Sequence, residues 1–158
     1  MGDRILLVGC GKRKADGPVP AEDLYTGPMF RARRSHVERR GLPWFVLSPT
    51  YGLVRPDEVI APYDLAMAKQ GIAYRRAWAQ RVVQQLVREV GSLDGRTLEL
   101  HAGAAYVGPM RGLLLQCGAT VLEPLAGLSQ GHQLQWYAAA AEELSDLPAT
   151  APRCRPGP

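Results

Sequence analysis

The apolar residues of this chain fall into short unbroken runs separated by stretches of helical spacing. Ile5-Leu6-Leu7-Val8 is a continuous apolar run closed by Gly9, the pattern of a strand buried on both faces. Pro43-Trp44-Phe45-Val46-Leu47-Ser48, Thr97 to Ala102 and Ala119 to Leu122 predict three more strands. A helix is expected from Pro28 to just before Gly41, with Thr26 as a candidate cap and proline in its first turn. A second covers Ile72 to Val90, where Trp78, Val82, Leu86 and Val90 recur at four-residue steps and Gly91 follows. Met110 to Cys117, stopped by Gly118, and the Ala-rich stretch Gln133 to Leu144 predict two more. Cys10 to Pro20 reads as a loop, as does the long stretch after Ser48, broken by Pro49, Gly52, Pro56 and Pro62.

Strands alternating with helices predict a three-layer α/β domain. Its sheet is expected to be mostly parallel, with about four or five strands and helices on both faces. A single domain over 1–146 is expected, followed by a Pro-rich flexible tail over 147–158. In such sheets ligands bind beyond the carboxyl ends of the strands. Cys10 to Lys14, Ser48 to Leu53, His101 to Tyr106 and Glu123 to Gly131 then share one rim.

Composition narrows the class. A chain of 158 residues with 46% hydrophobic and 22% charged residues is one ordinary globular domain, which excludes wholesale disorder. No apolar run has membrane-spanning length, and Ile5 to Val8 is too short for a signal peptide, so a cytoplasmic protein without a membrane partner is expected. The net charge of +4 is uneven: ten Lys/Arg stand against five Asp/Glu through Arg55, and nine against ten thereafter. A local basic face suits phosphate, nucleotide or nucleic acid, or is simply a solvated helix surface. Cys10, Cys117 and Cys154 are too scattered for a disulfide framework, and His36, His101 and His132 lack zinc-ligand spacing, so no metal or other cofactor is expected.

The rim loops hold the candidate chemistry. Gly9-Cys10-Gly11-Lys12-Arg13-Lys14 joins two glycines, which allow close backbone approach, to three cations, and its amides suit an anion nest. It lacks the Gly-Lys-Ser/Thr ending of a Walker loop. Cys10 reads as a nucleophile, a redox centre paired in space with Cys117, or an inert packed thiol. Small residues around Gly103, before Tyr106, leave room for a planar ligand or a phosphate, or for close helix packing. Glu123 ends a strand, and His132, Gln133 and Trp136 begin a helix; an amide and an indole together suit base recognition.

The stretch Leu47-Ser48, Tyr51-Gly52-Leu53, Arg55-Pro56 and Pro62-Tyr63 resembles, in order and spacing, the bacterial peroxide-stress protein YaaA family. Tyr25-Thr26-Gly27 is similar to a segment of the same family. Gly-Cys-Gly-Lys-Arg-Lys and the late Gly127-Leu128 and Gln133-Leu134-Gln135-Trp136 look closer to small bacterial members of that superfamily. The resemblance marks Tyr25, Ser48, Gly52 and Tyr63 as candidate binding residues. It implies DNA binding and peroxide protection, and related domains occur near nucleobase-modifying enzymes. Where that family tends to have Arg after Pro-Tyr, this chain has Asp64, which is either catalytic or a helix cap.

Two functions are therefore expected to compete. The first is a metal-independent hydrolase of the N-glycosidic bond of a nucleotide or nucleoside. Asp64, Glu123 and Tyr51 are its candidate catalytic residues, with Asp57 and Glu58 as further carboxylates. Lys12 and Lys14 would hold the phosphate, and Tyr51, His132 and Gln133 would contact the base. The second is a non-catalytic DNA-binding protein of the oxidative-stress response, with Arg31, Arg33, Arg34, Arg39 and Arg40 as a phosphate-contacting patch.

Overall fold

The computed structural model describes residues 3–146. The expected tail over 147–158 lies outside the described residues. Strand β1 (Arg4–Gly9) is central, and β3 (Trp44–Ser48) and β6 (Thr97–His101) pair with it in parallel on its two sides. β7 (Thr120–Leu122) extends the parallel sheet beyond β6, and β4 (Gly52–Val54) closes the other edge antiparallel to β3. The resulting order is β4-β3-β1-β6-β7, so the expected mostly parallel five-stranded sheet is found. Helices α2 (Pro28–Arg40) and α5 (Gln130–Asp146) pack together on one face, and α3 (Ile72–Val90) and α4 (Ala104–Gln116) on the other.

Each face has its own core, and strand alternation assigns the residues. Ile5, Leu7, Phe45, Leu47, Leu98 and Leu100 join Trp78, Val82 and Leu86 of α3 and Met110 and Leu114 of α4 in one apolar cluster. Leu6, Val8 and Val46 point the other way, to Phe30 and Val37 of α2 and to Leu24 and Tyr25.

Several boundaries differ from expectation. Thr26 does not cap α2; Gly27 takes the N-cap position without any side-chain bond, and Pro28 starts the helix with its fixed φ. The helix ends as expected at Gly41, which adopts φ 65° and returns its N–H to the Glu38 carbonyl. Helix α3 matches its expected span. Helix α4 begins six residues earlier than expected and carries Pro109 inside it, and α5 begins at Gln130.

The two expected loops also contain structure. The first holds β2 (Val19–Pro20), followed by the short helix α1 (Ala21–Leu24). The second holds β4, β5 (Val59–Ile60) and a 3-10 turn at Met67–Lys69. β2 and β5 pair antiparallel, and the Ala21 and Glu22 amides donate to the Glu58 and Pro56 carbonyls. The two loops thus tie each other down over the end of the sheet.

Candidate functional site

The rim beyond β1, β3, β6 and β7 carries two adjoining groups of side chains, and a third runs inward from it. The first lines a cleft of about 350 Å³ between the start of α4 and the turn entering α5. Ala102, Gly103 and Ala104 form one wall, Leu125 to Leu128 another, and Glu123 and Gln133 supply polar groups. Gly103 is the N-cap of α4, so first-turn amides face this space with the positive end of the helix dipole. Arg111 clasps Glu123 with two bonds of 2.7 and 2.6 Å. That bidentate contact pulls the Glu123 pKa below the usual carboxylate range, against a smaller opposing effect of burial.

The second group surrounds Cys10. Its Sγ lies 3.2 Å from the Tyr106 hydroxyl. The Tyr25 and Tyr63 hydroxyls are 2.6 Å apart, and both interact with Ser48. Ser48 Oγ also accepts the Thr50 and Tyr51 amides at 3.2 and 3.0 Å, which fixes the tight turn from β3 into β4. Burial raises the Tyr25, Tyr63 and Tyr106 pKa values, with the nearby Cys10 adding to the effect. These phenols stay protonated near neutral pH. Lys14 Nζ sits 4.5 Å from the Tyr63 ring centroid and donates to the Lys12 carbonyl at 3.1 Å.

The third group is a polar row between the sheet and the α2/α5 layer. Glu99 and His101, alternate residues of β6, face it. The Glu99 carboxylate meets His101 Nε2 at 2.7 Å, bonds Arg40, and lies 3.5 Å from Arg4. His101 Nδ1 meets the Tyr137 hydroxyl at 2.8 Å. Burial alone would raise the Glu99 pKa, but the His101 and Arg40 contacts outweigh it and hold it at about 2. His36 packs between the rings of His101, Trp136 and Tyr137 at 5.3, 5.1 and 5.5 Å. Both its ring nitrogens are buried without a hydrogen-bond partner among the described residues. Burial, then the charges of His101 and Arg40, lower its pKa to about 4.

Arg33 links this row to the rim. Its Nη1 donates to the Gly9 carbonyl and its Nη2 to Gln133 Oε1, both at 3.3 Å. A Cβ at Gly9 would stand 3.0 Å from Ala102 Cβ and 3.1 Å from Arg33 Nη1, close enough that these neighbours would have to shift.

The structure sorts the candidate residues unequally. Cys10, Lys14, Tyr25, Ser48, Tyr63 and Tyr106 come together, and Gly103, Glu123 and Gln133 meet at the cleft. Gly9 sits between the two, against Arg33 and Ala102. Gly11 packs near Tyr25 and Phe30, while Lys12 is exposed. Gly52 adopts φ 77° in the turn, with Gln85 donating to the Tyr51 carbonyl and accepting the Leu53 amide. Tyr51 packs its ring edge-on to Tyr63 and donates to the Ala61 carbonyl; it lines a separate hollow with Arg55, Gln85 and Arg88. Asp64 is exposed and outside the cleft lining, and Asp57 is exposed as well. His132 is exposed and turned back onto Ser129 at 2.9 Å. Trp136 packs on His36 and Tyr137 rather than presenting a free stacking face at the cleft.

Two expectations are corrected. The five arginines of α2 do not form one patch. Arg33 is buried, Arg34 pairs with Asp23 and Glu38, and Arg40 pairs with Glu99, because the helix turns those positions inward or toward acidic neighbours. Cys117 does not approach Cys10. It caps the far end of α4, whereas Cys10 contacts Tyr106 near the start, a separation of about 16 Å along the axis.

The polar row escaped the sequence reading. Its signal is the alternation Leu98-Glu99-Leu100-His101 in a buried strand, matched by Arg33, His36 and Arg40 at helical spacing. The three-residue group His36, Glu99 and His101 assembles through the topology, from residues with no metal-ligand spacing in sequence.

The architecture is that of a parallel α/β domain with a polar cleft at the carboxyl rim of its sheet. The chain belongs to a family of unknown function, DUF6884, whose model matches residues 5–139, from β1 into α5. It is also similar to the uncharacterized protein YfjM of Bacillus subtilis (strain 168), at 26% identity over 152 residues covering 91% of this chain and 99% of the relative. Among the described residues no helix is long and apolar enough to cross a membrane.

Proposed function

We propose that the rim cleft binds a nucleotide and that the protein hydrolyses its N-glycosidic bond. The carrying observation is the position of Glu123. It lines a cleft of about 350 Å³ at the carboxyl edge of the sheet and is kept ionised by Arg111. N-glycosidic cleavage develops positive charge on the sugar, and an ionised carboxylate beside the sugar stabilises that charge. A carboxylate held this way is unsuited to donating a proton, so protonation of the leaving base would fall to a neutral donor. Tyr106, in the first turn of α4, turns its hydroxyl to Cys10 and lies outside the cleft lining, so that proton would come from solvent. The small residues Ala102, Gly103 and Ala104 leave room for a flat base. The segment resembling the YaaA family, Leu47 to Tyr63, contributes Ser48 and Tyr63 to the tyrosine group of the same rim, and the nucleobase chemistry near related domains supports this reading.

The test is to incubate the pure protein with a panel of nucleotides and nucleosides and follow free base by chromatography. At least one nucleotide is expected to release its base. Glu123→Gln is expected to slow that release by roughly 100-fold with little change in folding, the usual cost of removing one transition-state electrostatic group. Absence of base release from every compound sinks the hydrolase reading.

A further inference from the structure

Arg33 is a buried cation without an anion. It is only 7% exposed, yet no carboxylate among the described residues pairs with it. Its Nε is buried without a hydrogen-bond partner among the described residues, and its other nitrogens meet only neutral oxygens: the Gly9 carbonyl and the Gln133 amide in long bonds, and the Tyr137 hydroxyl. Buried charges are ordinarily paired, because neutral partners replace the lost hydration poorly. The other inward arginine of the same helix, Arg40, follows that rule by binding Glu99. Arg33 lies at the opposite end of the row, at the carboxyl terminus of β1 in the middle of the sheet.

Between Arg33 and the cleft stands one movable group. Gln133 lines the cleft, accepts from Arg33 through Oε1 and donates to the Leu128 carbonyl through Nε2 at 3.1 Å. Its amide oxygen occupies the place that a ligand oxygen would take. Gln133 sits in the first turn of α5, and a rotation of its side chain would uncover the guanidinium from the cleft side. The α4 amino terminus flanks the same cleft, and Gly9 keeps the approach to Arg33 free of a side chain.

We propose that Arg33 is the oxyanion receptor of the cleft, and that a phosphate group of the ligand displaces the Gln133 amide oxygen to bind it. This deepens the nucleotide reading above and rests on it. It also moves the phosphate anchor away from the Lys12 to Lys14 loop, whose Lys14 is folded onto the Tyr63 ring. Arg suits the role because its planar fork presents paired donors to an oxyanion.

Three measurements decide the matter. In calorimetric titration the wild-type protein should bind adenosine 5′-monophosphate at least tenfold more tightly than adenosine. Inorganic phosphate should raise its melting temperature at constant ionic strength. Gln133→Glu places a carboxylate against Arg33, and should raise the melting temperature without ligand while abolishing both phosphate effects. Arg33→Met should abolish them too, whereas Arg39→Ala, which removes an exposed charge from the same helix, should leave them intact. Gln133→Glu carries the test if Arg33→Met does not fold. Equal affinity for nucleotide and nucleoside in the wild type, or a phosphate preference that survives Gln133→Glu, overturns the proposal. Arg33-dependent phosphate binding without base release defeats the hydrolase reading alone.

Discussion

Strand β6 turns Leu98 and Leu100 toward α3 and α4, and Glu99 and His101 toward α2 and α5. One side of the sheet is closed by leucine, valine, tryptophan and methionine. The other has an apolar core of its own around Phe30 and Val37, and beside it a line of ionic and aromatic groups from Arg40 through Glu99, His101 and His36 to Arg33. Both are buried, so burial does not distinguish them. What differs is how each residue is satisfied. The apolar side needs only contact, and many residues of similar volume would serve. The polar side needs named partners, and a removed partner leaves a charge stranded. The polar side also ends at the rim cleft, while the apolar side supplies the platform that holds the strands in register.

That contrast is open to direct attack. Glu99→Leu should be the most damaging change, costing about 4 kcal/mol in chemical denaturation, because Arg40 and His101 lose their shared carboxylate. Leu98→Ala, one residue away on the apolar side and outside the cleft lining, should cost about 3 kcal/mol through loss of packing and should leave the affinity for adenosine 5′-monophosphate unchanged. If Glu99→Leu costs under about 1 kcal/mol, the polar row is not held together by that carboxylate.

Acid should strip the polar side in two steps. His36 has its pKa lowered from 6.5 to about 4, so the unfolded chain takes up that proton first and stability falls as pH drops from about 6.5 to about 4. Glu99 has its pKa lowered from 4.5 to about 2, so its contribution is complete above about pH 4.5 and is lost toward pH 2. Denaturation midpoints across pH 7 to 3 should show both slopes. Glu99→Gln should flatten the lower one and His36→Leu the upper one, and unchanged profiles in both variants would break the assignment.

The smallest expected effect is a gain. His36→Leu removes two buried nitrogens that lack a hydrogen-bond partner among the described residues, and should stabilise the fold by about 1 kcal/mol at pH 7. A loss of more than about 1 kcal/mol would show that His36 makes a contribution its ring contacts do not explain.

The chain revealed its architecture unevenly. β1, β3, β6 and α3 were legible because each is a continuous apolar run or a regular four-residue stripe. β2, α1, β4 and β5 were not, since each has two to four residues and depends on a partner far along the chain: Val19 needs Ile60, and Ser48 needs the turn to Gly52. The early part of α4 was hidden because Gly108 and Pro109 read as breakers. Of the site, the shared rim position of the loops that carry Cys10 and Tyr106 followed from the α/β topology, whereas the packing of Tyr25 and Tyr63 beside them did not. Nor did the inward turn of Arg33. An arginine among five on one helix reads as solvated surface until Gly9, Gln133 and Tyr137 are placed around it.

The central position of β1 has a consequence for synthesis. Its Leu6, Leu7 and Val8 are fully buried only when β3 lies on one side and β6 on the other. At 5–20 residues per second, about 5–20 s separate translation of Gly9 from that of His101. Through that interval β1 has at first no strand beside it, and after Ser48 only β3. The first strand made therefore stays open on one side until two thirds of the described chain have been synthesised.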